Sequence, residues 1–152
     1  MSISWGTEQK LTISGYGTSD IYGAAPYSGY IYGNTIVLAD TTKSRTLFEN
    51  TENETTKDNT GEVAIFNRSS AGSAWSFTTM LEPPQADVEA LNDRTLNFGR
   101  SVAIYNNYIV VGNGKPSFNS IYVFKGDSNN SYTTFKISIT TTELNPRFGE
   151  NV

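Results

Sequence analysis

The sequence predicts an all-β protein built from four-stranded antiparallel meanders, and three observations carry that expectation. Short runs of strand-forming residues alternate with polar turns along the chain. The runs recur in the same order in two successive stretches. The second run of each stretch, TIVL at 35–38 and YIVV at 108–111, is apolar at consecutive positions, as expected where both faces of a sheet are covered.

The N-terminal run ISWGTEQKLTIS reads as one strand, with Trp5, Leu11 and Ile13 as its larger apolar positions. A Gly-, Ser- and Tyr-rich segment follows, whose glycines deny it a regular element. GYIYGNTIVLAD then gives a strand, a turn at Gly33-Asn34 and a second strand at Thr35–Leu38. Residues 40–60 are polar and charged, with Leu47-Phe48 their only apolar pair, and read as a long exposed loop. Strands follow at Glu62–Phe66 and Ala74–Leu81, and Pro83-Pro84 ends the second because proline has no N–H to give a ladder. The connector after it predicts one helical turn around Asp87–Leu91. Ser101–Tyr105, Tyr108–Val111, Ile121–Phe124 and Tyr132–Ile139 complete the strands. Asn106-Asn107 makes a hairpin turn because asparagine tolerates positive φ.

The recurrence sets the architecture. Aligning Ser28 with Ser101 places Ile31 on Ile104, Tyr32 on Tyr105, Ile36 on Ile109 and Val37 on Val110. A second alignment places Val63 on Ile121, Phe66 on Phe124 and Phe77 on Phe135, the change of offset being an insertion at 40–60. Trp5 to Leu11 has the spacing of Trp75 to Leu81 and of Thr133 to Ile139, so the N-terminal strand reads as a lone fourth strand. Four-stranded repeats of this length predict β-propeller blades, which bury their faces against one another. The expected organisation is a lone fourth strand at 1–14, one blade at 28–82, a second at 98–140 and the start of a further repeat at 148–152. Two blades cannot close a ring, so the expectation is a partial propeller within a larger one.

Composition excludes several function classes. The formal net charge is −4, and the eleven Lys and Arg residues are scattered, so nucleic acid is not an expected partner. Without cysteine or histidine, the chain has no thiolate or imidazole metal ligands and no His-based triad. No apolar run approaches the roughly twenty residues of a membrane-spanning helix, and no signal peptide is visible.

The aligned residues resemble the FG-GAP repeat, the blade unit of integrin-α-like β-propellers. Asn92-Asp93, Phe98-Gly99, Ser101-Val102-Ala103 and Gly112 match that pattern. The Gly-Ala-Pro turn is replaced here by Gly112-Asn113-Gly114-Lys115-Pro116. The earlier copy has Ala25-Pro26 in place of Phe-Gly. The resemblance implies that Phe98 plugs the gap between neighbouring blades and that Gly99 permits a turn a Cβ would block. Trp5 and Trp75 would cover the outer part of a blade. Many relatives of that kind bind calcium in an aspartate-rich loop, for which the nearest approximations here are Asp87, Glu89 and Asp93, and the corner Asp58–Glu62. Neither supplies enough oxygen ligands for a compact calcium site, so no cofactor is expected.

Tyr16, Tyr22, Tyr27 and Tyr30 crowd the Gly-rich segment and are the candidate binding residues, since loop aromatics suit sugar or protein contacts. Tyr32 and Tyr105 read equally well as packing between blades. No pair of carboxylates is placed for hydrolysis, so the expected function is non-enzymatic, a polysaccharide-acting enzyme using Asp87, Glu89 or Asp93 being the third alternative. That function is a surface-exposed attachment module, extracellular or on a virion, contacting a glycan or protein; the rival is a purely architectural decoration or fibre subunit packed against neighbouring subunits.

Overall fold

The computed structural model describes residues 9, 11, 28–49, 51–91, 95–114, 120–128 and 131–138. The proposed repeat start at Phe148-Gly149 and all of the N-terminal strand except Gln9 and Leu11 lie outside them. The protein is all-β, with antiparallel sheets and, among the described residues, one short helix. In chain order the strands are β1 (Ser28–Tyr32), β2 (Thr35–Asp40), β3 (Arg45–Leu47), β4 (Thr55–Lys57), β5 (Glu62–Asn67) and β6 (Ser76–Leu81). Helix α1 (Gln85–Glu89) follows, then β7 (Ser101–Tyr105), β8 (Tyr108–Gly112), β9 (Ser120–Gly126) and β10 (Tyr132–Ser138). Sheet one has the order β1-β2-β5-β6 and sheet two the order β7-β8-β9-β10, while β3 and β4 form a hairpin of their own.

The registers repeat as the alignment requires for three strands of the four. Ile31 faces Ile36 as Ile104 faces Ile109, and Val37 faces Ile65 as Val110 faces Val123. The fourth strand departs from the alignment. Leu81 faces Val63, whereas Ile137, not Ile139, faces Ile121. Phe77 therefore does not correspond to Phe135: it faces Phe66, beyond a bulge between Ile65 and Phe66, while Phe135 faces Val123. The connection into β6 is longer than the one into β10. The two-residue displacement at Leu81 and Ile137 keeps each of these side chains on the same face, because the strand period is two.

Residues 40–60 are not simply an exposed loop. The β3–β4 hairpin lies within them, and Leu47 is buried in the main core. Arg45 donates from Nη1 to the Pro83 carbonyl at 3.0 Å, and Lys57 Nζ donates to that of Leu91 at 2.7 Å. The hairpin thus clasps the connector that carries α1.

One core joins the two sheets. Val37, Ala39, Val63, Ile65 and Leu81 supply it from sheet one, and Val102, Ile104, Ile109, Val111, Tyr122 and Phe124 from sheet two. The connector adds Val88, Leu91, Leu96 and Phe98. Phe98 is fully buried and meets the rings of Tyr122 and Phe124 edge-on, with centroids 5.2 and 6.0 Å away. Burial of such a ring stabilises by about 1.5–3 kcal/mol. Gly99, at φ +90°, lies where a Cβ would come within 2.7 Å of the Ala39 Cβ. The Asp58–Glu62 corner seats this segment: Asn97 and Phe98 donate their N–H groups to the carbonyls of Asn59 and Thr60 at 2.9 and 3.0 Å.

The two sheets present opposite sides of the repeat to each other. On sheet one the contacting residues include Val37, Ala39, Val63 and Ile65. Their counterparts Val110, Gly112, Ile121 and Val123 lie on the side of sheet two that faces away. The packing is head-to-tail.

Candidate binding site

Two hairpin turns bring the most exposed aromatic pair together. Gly33 (φ +57°) and Asn106 (φ +53°) take the positive φ that tight turns between twisted strands require. The strands leading into these turns end in Tyr32 and Tyr105, whose rings lie 5.5 Å apart and tilted by 58°. The Tyr32 hydroxyl donates to Asn106 Oδ1 at 3.2 Å. The asparagine turn is fixed from behind, because Asn107 Nδ2 donates to the Gly126 carbonyl and Gly126 N–H donates to that of Asn107, at 2.9 and 2.7 Å. On the other sheet, Arg68 donates from Nε to Asn34 Oδ1 at 3.1 Å and lies over the Trp75 ring.

Tyr105 is 68 % exposed, Tyr30 51 % and Tyr32 39 %. Tyr32 and Tyr105 meet each other across the two sheets, yet both stand at strand ends, outside the shared core, and leave much of their surface in water. Beside them a cleft of about 120 Å³ opens between the two sheets, lined by Thr35, Asn67, Asn106, Asn107, Asp127 and Tyr132 among others. Enclosed small-molecule pockets run to about 300–1,000 Å³, so this is a shallow recess rather than a chamber. Its lining contains one carboxylate, Asp127, whereas paired-acid hydrolysis takes two. Aromatic faces beside amide donors and acceptors suit the apolar face and hydroxyl rim of a sugar ring.

Of the binding residues expected from sequence, Tyr30 lies on β1 beside this pair. Tyr16, Tyr22 and Tyr27 lie outside the described residues. The signal that could have singled out Tyr32 and Tyr105 was the alignment that superimposed them. It was outweighed because an aromatic residue in a strand ordinarily reads as core.

The acidic candidates do not converge. Asp87 accepts the Tyr122 hydroxyl at 3.0 Å through Oδ2 and pairs through Oδ1 with Lys136. Glu89 accepts from Gln85 Nε2 at 2.7 Å, and Asp93 lies outside the described residues. In the second candidate corner, Asp58 accepts from the Ser44 hydroxyl at 3.0 Å. No group of three acidic side chains able to hold a metal ion occurs among the described residues. The Asp87 carboxylate instead fastens α1 to β9 and β10. Burial first, and then the charge of Asp87 and its hydrogen bond, raise the Tyr122 phenol above its ordinary pKa. No helix among the described residues is long and apolar enough to cross a membrane.

No family model, curated protein or solved structure matches the chain.

Proposed function

We propose that the two sheets are neighbouring blades of a propeller of the FG-GAP kind, and that the chain is a non-enzymatic attachment module whose contact end is the Tyr32–Tyr105 pair. The observation that carries the reading is the exposure of two repeat-equivalent tyrosines, side by side and flanked by asparagine turns. Aromatic groups left in water at a rigid turn offer contact area at little entropic cost. A glycan on a surface is the ligand class that a shallow aromatic and amide site fits best. Display outside the cell, as on a virion or another surface structure, belongs to the same proposal.

The test is a glycan-array screen followed by titration of the retained oligosaccharide. Tyr105→Ala is expected to weaken binding at least tenfold with an unchanged far-ultraviolet spectrum, since the residue is largely in solvent. An array without hits, or equal affinity for Tyr105→Ala and the unsubstituted chain, would sink the reading. The architectural alternative draws on a different observation, the open side of sheet two.

A further inference from the structure

Tyr132 lines the recess beside the Tyr32–Tyr105 pair, and it also lines a second, larger cleft between β6 and β10. That cleft holds about 380 Å³, within the range of sites that enclose small molecules. β6 and β10 are the last strands of their sheets. An edge strand keeps alternate N–H and C=O groups outside the ladder, so β6 offers main-chain donors and acceptors here as well as side chains. The shared ring is held in place. It packs on the main core, and Gly126 leaves room for it, since a Cβ there would come within 2.9 Å of Tyr132 Cε1. Gly126 is in turn bonded in both directions to Asn107, next to the exposed tyrosines. Asp127 closes the turn into β10: its N–H donates to the Ser131 carbonyl and its Oδ1 accepts the Ser131 N–H, both at 2.9 Å.

The chemistry on the two sides of Tyr132 is of one kind. Hydroxyls of Thr79, Ser131 and Thr134 line the cleft, and amides of Asn67, Asn106 and Asn107 line the recess. Such groups match the hydroxyls of a sugar, and the ring between them matches its apolar face. Each side also carries one carboxylate, Glu82 or Asp127, and among the described residues neither lining contains Lys or Arg. Arg45 reaches Glu82 from outside the lining, at 3.4 Å, and is held by the Pro83 carbonyl. An acidic sugar would meet these carboxylates with no cation in the lining to pair with it. We infer that the glycan is a linear, uncharged oligosaccharide, laid from the Tyr32–Tyr105 pair across Tyr132 into the cleft between β6 and β10. This rests on the glycan reading and adds length and charge to it, because a single terminal sugar would leave the larger cleft unfilled.

The experiment titrates linear gluco-, manno- and galacto-oligosaccharides by calorimetry, from a single ring upward, each neutral ladder set against its uronic acid counterpart. Affinity is expected to rise about tenfold or more with length in at least one neutral ladder, and to be about tenfold or more weaker for the uronates. Thr134→Trp, at an exposed position of β10 that lines the larger cleft, should cancel the gain with length and leave the shortest members bound as before. Thr79→Trp, from the opposite wall, gives the same readout should Thr134→Trp not fold. The inference is overturned if affinity is flat with length, if neither tryptophan removes the gain, or if the uronates bind as tightly as the neutral sugars. The tyrosine-pair reading fails differently. Tyr105→Ala should weaken every length; if it weakens none while the gain and its loss in Thr134→Trp persist, the pair is wrong and the cleft stands. Loss of binding in Tyr105→Ala without any dependence on length keeps the pair and sinks the inference, and binding at no length ends both.

Discussion

β5 and β9 occupy the same place in their sheets, yet Glu62–Phe66 is buried at every residue while Ser120–Gly126 alternates buried and half-exposed positions until Lys125. The sequences EVAIFN and SIYVFK are alike in pattern, so the difference lies in their neighbours. Among the described residues, β5 has sheet two on one side and Leu11 and Trp75 on the other, whereas β9 has sheet one and the connector. An apolar pattern thus does not fix burial by itself: the neighbours decide how much of it is enclosed.

Several substitutions break or sharpen that comparison. The largest effect is expected at Gly61, which holds φ +84° where a Cβ would overlap the Phe98 carbonyl and come within 2.8 Å of its nitrogen. Gly61→Ala should cost about 3 kcal/mol or more, read from the urea midpoint, because the seat of Phe98 and a left-handed backbone are disturbed together. Next comes the paired test of the two strands. Ile65→Ala, at a fully buried site, should cost about 2–5 kcal/mol, and Val123→Ala, its half-buried register equivalent, about 1 kcal/mol. Equal costs would mean that sheet two is as enclosed as sheet one.

Tyr122→Phe should cost about 1–2 kcal/mol through loss of the Asp87 bond. It also tests a pH dependence whose sign follows from the raised phenol pKa. The unfolded chain releases this proton near pH 10 while the folded chain retains it, so the contribution is complete below pH 10. Above that it falls by about 1.4 kcal/mol per pH unit. Chemical denaturation between pH 9 and 11 should show a steep alkaline loss that Tyr122→Phe makes shallower. Tyr132, raised by burial, leaves part of the slope in place. The smallest effect is expected from Lys136→Met, which removes a partly exposed ion pair and should change stability by about 1 kcal/mol or less.

The sheets were legible in the sequence because strand period, turn residues and recurrence agreed with one another. Ile31 over Ile104 and Val37 over Val110 gave the registers of three strands in each copy. The fourth strand was misaligned because matching Phe77 to Phe135 ignored the bulge between Ile65 and Phe66 and the longer connection into β6. The β3–β4 hairpin was hidden by its composition: Arg-Thr-Leu and Thr-Thr-Lys are too short and polar to announce a strand, and only Leu47 hints at the core beneath. Asp87 stood among the nearest approximations to a calcium loop on its acidity, but its role depends on Tyr122 and Lys136, distant residues whose approach follows from β9 and β10 lying side by side. Tyr32 and Tyr105 were present in the alignment, and what sequence lacked was their exposure.

The seat of Phe98 has a consequence for how such a molecule ages. Its two hydrogen bonds run from the amides of Asn97 and Phe98 to the carbonyls of Asn59 and Thr60, groups every residue but proline offers in full. Those main-chain groups can be supplied by almost any residue at 59, 60, 97 and 98, while Gly61 beside them leaves no room for a side chain. The contact between the two sheets can therefore hold while the residues at those four positions change, so long as Gly61 is kept.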